Sequence, residues 1–217
     1  IEASHCPVLA LVPQLDQDQF LDTLSAGSDM YLAKGCTTAQ EGWVADPNWF
    51  PLMGEALKRR TLKLRLVLYP LGQDISLEEY GRVFPDVPSG TPLDEEGKLV
   101  MGATKLSADG SIQAYTGFLS QPYHKTPEGK PGYVGYPSND LEWLRQRIID
   151  LHSNGRQIAV HCNGDAAIDV ALDAYEEAQR QSPRDDTRFI VIHSQMARSD
   201  QIERMSRLEA IPSFFIT

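Results

Sequence analysis

Short apolar runs alternate with longer segments of helical periodicity along most of the chain. Leu141, Leu144, Ile148 and Leu151 recur at helical spacing and predict a helix over residues 139–154. The short apolar run over residues 157–161 follows and predicts a strand. The same alternation predicts six strands, at 36–40, 63–69, 103–107, 157–161, 189–193 and 210–217. It also predicts six helices, at 15–33, 48–60, 76–83, 139–154, 165–181 and 198–208.

The predicted strands are apolar without a clean alternation, which is typical of a parallel sheet covered on both faces. The fold class is therefore α/β, either a (β/α)8 barrel or a doubly wound open sheet. No GxGxxG follows a strand and no GxxxxGK[ST] occurs, which disfavours the nucleotide-binding open sheets. Two long loops, at about 85–101 and 110–137, interrupt the pattern, which resumes after each; we expect one domain over residues 1–217.

Composition excludes several classes of protein. The 217 residues are 41% apolar, enough for a sizeable core, and no apolar run is long enough to span a membrane. The net charge of −10 argues against a nucleic-acid or anionic-membrane partner. Three cysteines, Cys6, Cys36 and Cys162, form no CxxC pair, and we expect reduced, mostly buried thiols. Residues 1–4 lack signal-peptide features, and we expect a cytoplasmic protein.

Two histidines end apolar strands one βα unit apart. His161 ends QIAVH and His193 ends FIVIH, 32 residues later. The carboxyl ends of parallel strands share one rim, where barrel active sites are built. Two neutral imidazoles on adjacent strands suit one divalent metal, with zinc the usual match. The alternative is a pair of core or capping histidines. His124 and His152 are expected to be solvated.

Three further charged residues lie near strand ends. Lys105 falls inside a predicted strand, where an unpaired ammonium is costly. In the structural interpretations, Lys105 forms a buried ion pair, for example with Asp109, or lies on an exposed strand. In the functional interpretation, it is a base, a Schiff-base former or a metal ligand. Glu41 is either a site carboxylate or a solvated charge. Asp165 is expected to cap the helix over residues 165–181, and a cap beside a metal can also orient a ligand.

Four motifs in order resemble those of the amidohydrolase superfamily, especially the branch of N-substituted formamide deformylase. They are GCTTAQE at 35–41, KLSADGS at 105–111, HCNGD at 161–165 and IHSQ at 192–195. The resemblance covers about residues 20–217. Each motif alone is weak, but four in the right order at predicted strand ends are fairly specific.

The resemblance implies a distorted (β/α)8 TIM barrel holding one or two divalent metals, usually zinc. It implies that His161 and His193 are metal ligands, that Lys105 bridges metals if carbamylated, and that Lys105 and Asp165 are the catalytic candidates. The implied reaction is hydrolysis of an amide or other C–N bond of a small molecule by a metal-activated water. The long loops would shape the substrate pocket, with Tyr115, Phe118 and Tyr123 in its wall.

Two family features are absent from this sequence. It contains no H-x-H pair, which the family places on the first strand, and no eighth strand carrying the metal-binding Asp. We therefore expect a partial barrel of about six βα units, lacking the first and last strands and the β-sandwich, and inactive alone. Its open sheet edges predict homo-oligomers.

Two alternative readings stay open for this sequence. One is a non-catalytic, barrel-derived domain that binds a ligand or a partner. The other is a Schiff-base enzyme that uses Lys105, which gives no role to the two histidines that end strands.

Overall fold

The computed structural model describes residues 11, 13, 15–73 and 75–215. The fold is α/β with parallel sheets, as the strand composition predicts. Within the described residues the chain divides into two compact units between Ala103 and Thr104. A single barrel domain over residues 1–217 remains a prediction. Cys6 and the last two residues of the predicted strand at 210–217 lie outside the described residues.

The first unit contains a three-stranded parallel sheet in the order β1-β2-β3. Its elements are α1 (Gln17–Leu32), β1 (Thr38–Val44), α2 (Trp49–Lys58), β2 (Arg65–Pro70), α3 (Leu77–Val83) and β3 (Leu99–Met101). Helix α1 begins with a reciprocal cap: Gln19 N donates to Asp16 Oδ1 (2.9 Å) and Asp16 N donates to Gln19 Oε1 (3.1 Å). After the helix the chain turns at Gly35 with φ 80°, a left-handed backbone that glycine adopts without strain.

The core of the first unit forms where its helices cover the sheet. Leu21 of α1, Met53 of α2, Leu68 of β2 and Met101 of β3 are all at most 2% exposed and belong to one hydrophobic cluster. Burial of such side chains contributes roughly 1.5–3 kcal/mol each. Strand β3 lies inside the segment predicted as a loop. Its three residues are too few to give a periodic signal, and only hydrogen bonding to β2 makes them a strand.

The second unit contains a four-stranded parallel sheet in the order β4-β5-β6-β7. Its elements are β4 (Thr104–Ser107), α4 (Leu141–Ser153), β5 (Ile158–Cys162), α5 (Asp165–Gln181), β6 (Ile190–His193), α6 (Ser199–Arg207) and β7 (Ile211–Phe214). The predicted helices and strands of this unit are confirmed to within a few residues. Parallel pairing brings the carboxyl ends of all four strands to one edge of the sheet.

Helices α4 and α5 pack against each other and bury the apolar side chains that the periodicity predicts, except Leu141 at the start of α4, which is 37% exposed. Leu144 and Ile148 of α4 and Ile168 and Leu172 of α5 are completely buried. Tyr175 stacks on Phe189 with ring centroids 4.3 Å apart and planes 8° from parallel. Strand β5 is tightly packed, since four of its five residues, Ile158 to Val160 and Cys162, are at most 2% exposed.

Two expectations about exposure, for Cys36 and His152, differ from the structure. Cys162 is buried as expected, but Cys36 is exposed. His124 is exposed, whereas His152, expected to be solvated, is only 1% exposed. His152 is buried on the apolar face of α4. Its ring packs edge-on against Tyr175, with ring centroids 6.0 Å apart, and its Nε2 lies 2.8 Å from the carbonyl oxygen of Ser182. Among the described helices, none has the length and apolar character needed to cross a membrane.

Burial of His152 predicts a loss of stability in acid. Burial lowers the pKa of His152 below its ordinary value of 6.5. As pH falls below 6.5, the unfolded chain therefore takes up a proton that the folded protein excludes, and the free energy of unfolding falls. His152→Gln keeps an N–H donor for Ser182 but does not titrate. We expect its free energy of unfolding to change less between pH 7 and pH 5 than that of the wild type, measured by urea unfolding.

The matched control is His124→Gln, because His124 is exposed. This variant should keep the wild-type pH dependence. A pH dependence that His152→Gln leaves unchanged would contradict the prediction.

Candidate functional site

The candidate site lies in the second unit, at the carboxyl ends of β4, β5 and β6. Strand register aligns Ser107 with His161, and Cys162 with His193. The rings of His161 and His193 meet edge to face, with centroids 4.7 Å apart and planes at 81°. The structure therefore brings together the two histidines that the sequence places one βα unit apart.

The backbone at His193 makes this contact possible. His161 is aligned with Ile192, so regular alternation would place His161 and His193 on opposite faces of the sheet. His193 instead has φ 71° and Ser194 φ 45°, both in the left-handed region. Such a backbone costs roughly 1–2 kcal/mol per non-glycine residue. The turn is held by Ser194 N, which donates to Cys162 O at 3.0 Å, and by the Ser194 hydroxyl, which donates to Val191 O at 3.0 Å.

The buried carboxylate of Asp109 contacts the imidazole ring of His161 at Nδ1. Its Oδ1 lies 3.2 Å from His161 Nδ1, and its side chain is fully buried. Three backbone amides also donate to this carboxylate: Asn163 N at 2.9 Å, Gly164 N at 2.7 Å and Phe118 N at 2.9 Å. A buried carboxylate needs such donors, because an unpaired buried charge is costly.

The long loop after β4 lies against the start of α5 and begins and ends at the sheet edge. Asp109 bridges to Pro137, and Ser138 N donates to Ala108 O at 2.8 Å. At its middle, Phe118 passes so close to Gly164 that a Cβ on this glycine would lie 1.9 Å from Phe118 O. Only glycine fits there without moving the loop backbone.

Lys105 is buried in β4, two residues before Ser107 on the same face. It is 5% exposed, and no ion pair or hydrogen bond of its ammonium is seen within the part of the chain described. Asp109 does not pair with it, since that carboxylate is occupied by His161 and the three amides. Burial lowers the pKa of Lys105 to about 8, with a small opposing contribution from Cys162.

The electrostatics of the two histidines suit metal binding. Burial, with contributions from His161 and Lys105, lowers the pKa of His193 to about 4, so its imidazole is neutral at pH 7. Metal ligation needs this neutral form. His161 Nδ1 is tied to Asp109, which leaves Nε2 for a ligand, in the pattern of histidines that ligate metals. The side chains fit as part of a divalent-metal site.

The described residues do not complete a metal site. They contain no group of three or more His, Cys, Asp and Glu side chains arranged to hold a metal ion, whereas catalytic zinc sites typically use three protein ligands. Glu41, the other carboxylate candidate, belongs to the first unit and lies within β1, where its Oε1 accepts from Trp43 N at 3.0 Å.

Asp165 makes different contacts from those expected. Gly164 is the N-cap of α5, and Asp165 is the first helical residue with no capping hydrogen bond. The carboxylate of Asp165 instead accepts from Ser120 N at 2.9 Å, from the Ser120 hydroxyl, and from Arg198 Nη1 at 2.8 Å. These donors lower the pKa of Asp165 despite its partial burial. Its contacts fix the long loop to α5.

A cavity of about 720 Å³ lies beside this anchor, a volume typical of small-molecule sites. Tyr115 and Tyr123, two of the three expected wall residues, line it together with Leu119, Met196 and Asp165; Phe118 does not. The cavity adjoins the histidine site through the backbone, because Met196 N donates to Asn163 O at 2.9 Å.

Sequence reasoning missed Asp109 and Asn163. Asp109 was considered only as a partner of Lys105, although it lies in the KLSADGS motif. Asn163 lies in HCNGD, and its Nδ2 approaches both Gly110 O (2.9 Å) and His161 Nε2 (3.3 Å). The motifs themselves are the available signal, but Asp109 and Gly110 lie more than 50 residues from His161 and Asn163 in sequence, and only the pairing of β4 with β5 joins them.

Comparison with known proteins identifies the family of the chain. A model of the amidohydrolase family matches residues 1–217, and the chain belongs to that family. It is 29% identical to N-substituted formamide deformylase of Arthrobacter pascens over 89% of this chain and 34% of that protein. It is 33% identical to the YtcJ protein of Bacillus subtilis over 49% of this chain and 19% of that protein.

Two solved structures share the fold. They are uncharacterized metal-dependent hydrolases from Pyrococcus furiosus (24% identity) and Pyrococcus horikoshii OT3 (22% identity), each with a TM-score of 0.72 over 92% of this chain. The chain spans 38% and 37% of those proteins, and about a fifth to a third of the curated relatives.

The burial of Lys105 predicts that this residue costs stability. Its ammonium is desolvated without an ion-pair partner, so Lys105→Met should raise the free energy of unfolding at pH 7 by roughly 1–3 kcal/mol. The gain should shrink as pH rises above about 8, because the wild-type amine is then neutral in the folded state, and should vanish above 10.5. Urea unfolding at pH 7 and pH 9.5 measures both effects.

The matched control is Lys125→Met, which removes an exposed ammonium. This variant should stay within about 0.5 kcal/mol of the wild type at both pH values. Destabilisation by Lys105→Met at pH 7 would show that the ammonium is paired.

Proposed function

We propose that this chain forms part of a metal-dependent hydrolase that cleaves an amide or other C–N bond of a small molecule. The observation that carries the proposal is the edge-to-face pair of His161 and His193 at adjacent strand ends, with His161 tied to a buried carboxylate. Membership of the amidohydrolase family supports this reaction class. The proposed architecture is a partial (β/α)8 barrel of about six βα units.

We propose that His161 and His193 bind the metal through neutral imidazole nitrogens, with zinc as the favoured ion. A divalent metal supplies a Lewis acid and a water whose pKa is lowered towards neutrality. The contact from Asn163 Nδ2 to His161 Nε2, at 3.3 Å, is long and is the one that metal binding at Nε2 would replace. Among the described residues, Lys105 is the next candidate ligand.

Lys105 is proposed to contribute a neutral amine beside the histidines. Because burial lowers its pKa to about 8, about a tenth of the Lys105 amine is unprotonated at pH 7. The free amine would ligate a metal directly, or it would add to carbon dioxide and lose a proton to give a carbamate, whose oxygens would supply anionic metal ligands.

The long loop and its cavity are proposed to bind the substrate. Tyr115 and Tyr123 pack against each other with ring centroids 5.1 Å apart and present aromatic surface to the cavity. Asp165 is proposed to serve catalysis by holding this loop through Ser120, because its carboxylate is already engaged by Ser120 and Arg198.

The remaining expectations concern the protein's environment. The free thiols of Cys36 and Cys162 favour a reducing compartment such as the cytoplasm. No feature of the composition favours a nucleic-acid partner, since the net charge is −10.

Metal content tests the proposed site. Protein purified without chelator and then loaded with Zn²⁺ should hold metal by elemental analysis. The double variant His161→Ala/His193→Ala should lose most of it, because both proposed imidazole ligands are gone. His124→Ala, which removes an exposed histidine, should keep the wild-type content. Equal metal in the wild type and the double variant would end the proposal and favour a non-catalytic binding domain.

Strand β7 is the basis of the proposed self-association. It lies at an edge of the second sheet, and Ile211, Phe214 and the following Phe215 are 44–50% exposed. Exposed apolar edge strands pair readily with other chains. Light scattering should give a mass that is a multiple of 24.2 kDa. Phe214→Lys should reduce it, and a stable wild-type monomer at micromolar concentration would contradict the proposal.

A further inference from the structure

We propose that Asp109 is the positioning residue of His161: its carboxylate fixes which ring nitrogen carries the proton and which one faces the site. The inference deepens the proposed function and rests on it only for the metal-affinity measurement. It is carried by the hydrogen bonds around one imidazole ring, which lies between Asp109 on one side and Asn163 on the other.

The two sides of the ring indicate the same tautomer. His161 Nδ1 lies 3.2 Å from Asp109 Oδ1, and an ionised carboxylate oxygen can only accept, so Nδ1 must donate. On the opposite side, Asn163 Nδ2 lies 3.3 Å from Nε2 and can only donate, so Nε2 must accept. The proton therefore sits on Nδ1, and the lone pair of Nε2 is available to a ligand.

The orientation of Asn163 supports this assignment. Its Nδ2 also donates to Gly110 O at 2.9 Å, a carbonyl that cannot donate in return. Turning the amide over would place Asn163 Oδ1 against that carbonyl oxygen, which is repulsive. Asn163 Oδ1 itself is buried and accepts no hydrogen bond from the described residues.

The carboxylate of Asp109 is fixed independently of the histidine. Oδ1 also accepts from Asn163 N, and Oδ2 accepts from Gly164 N and Phe118 N, at 2.7–2.9 Å. These three amides come from the turn after β5 and from the long loop, so the carboxylate cannot rotate without leaving buried amides unpaired. The ring of His161 must align with the carboxylate, rather than the reverse.

Asp169 offers a control within the same unit. Its carboxylate accepts hydrogen bonds from Arg198 and Gln201, and its described contacts do not include His161. Substituting either aspartate by asparagine removes one charge and keeps the shape of the side chain. Only the change at Asp109 alters the partner of the imidazole.

The experiment is a long-range ¹H–¹⁵N correlation spectrum of ¹⁵N-histidine-labelled, metal-free protein, with His161 assigned by its absence in His161→Gln. Wild type should show His161 as the single Nδ1–H tautomer. Asp109→Asn should lose this signature, since the new amide can offer a donor to Nδ1. We also expect its dissociation constant for Zn²⁺ to rise roughly 10–100-fold by calorimetry. Asp169→Asn should keep the wild-type tautomer and bind Zn²⁺ within twofold of the wild type.

Three results would overturn the inference. The first is a wild-type His161 in the Nε2–H tautomer. This result needs no variant, so it can be obtained even if Asp109→Asn fails to fold. A folded Asp109→Asn that keeps the Nδ1–H tautomer also overturns the inference, as does an Asp169→Asn variant that loses it. If the wild type fails to bind Zn²⁺, that result contradicts the proposed metal site. It does not contradict the positioning role of Asp109, because the tautomer of His161 alone tests that role.

Discussion

The buried carboxylate of Asp109 is the interaction on which the rest of the site depends. It has no access to water, so its charge is tolerated only because four donors surround it. Those donors come from β5, from the turn before α5 and from the long loop after β4. One side chain therefore fixes the ring of His161, the turn at Gly164 and the path of the loop at Phe118. Removing it would leave three buried amides and one imidazole without their acceptor.

A second constraint is the backbone at the end of β6. The left-handed conformations of His193 and Ser194 bring the second imidazole to the first, against the alternation of the strand. Strain of this kind persists only where the surroundings hold it in place. Here the hydrogen bonds of Ser194 to Cys162 and Val191 do so. The site thus combines local strain with the buried Lys105, whose ammonium has no ion-pair partner among the described residues, two costs that a purely structural core has no reason to carry.

The stability of the second unit comes from elsewhere. The apolar layer between α4 and α5, with Tyr175 stacked on Phe189, supplies a rigid support for β5. Because the strands are parallel, everything that follows their carboxyl ends collects on one side, including the loop and the cavity lined by Tyr115 and Tyr123. The stabilising apolar layer and the site at the strand ends are therefore separate parts of the unit. This explains why the family motifs fall at strand ends while the periodic apolar positions fall in the helices.

The sequence by itself determined the order of helices and strands, the parallel character of the sheets, and the placing of His161, His193 and Lys105 at or near strand ends. These follow from local patterns of a few residues, which a single sequence displays directly. Only the tertiary structure decided that Asp109 partners His161 rather than Lys105, that Asp165 holds Ser120 rather than capping α5, that His152 is buried, and that Leu99–Met101 is a strand. Each of these depends on contacts between segments far apart in sequence, and strand register and loop path, which set such contacts, leave no periodic trace in the chain.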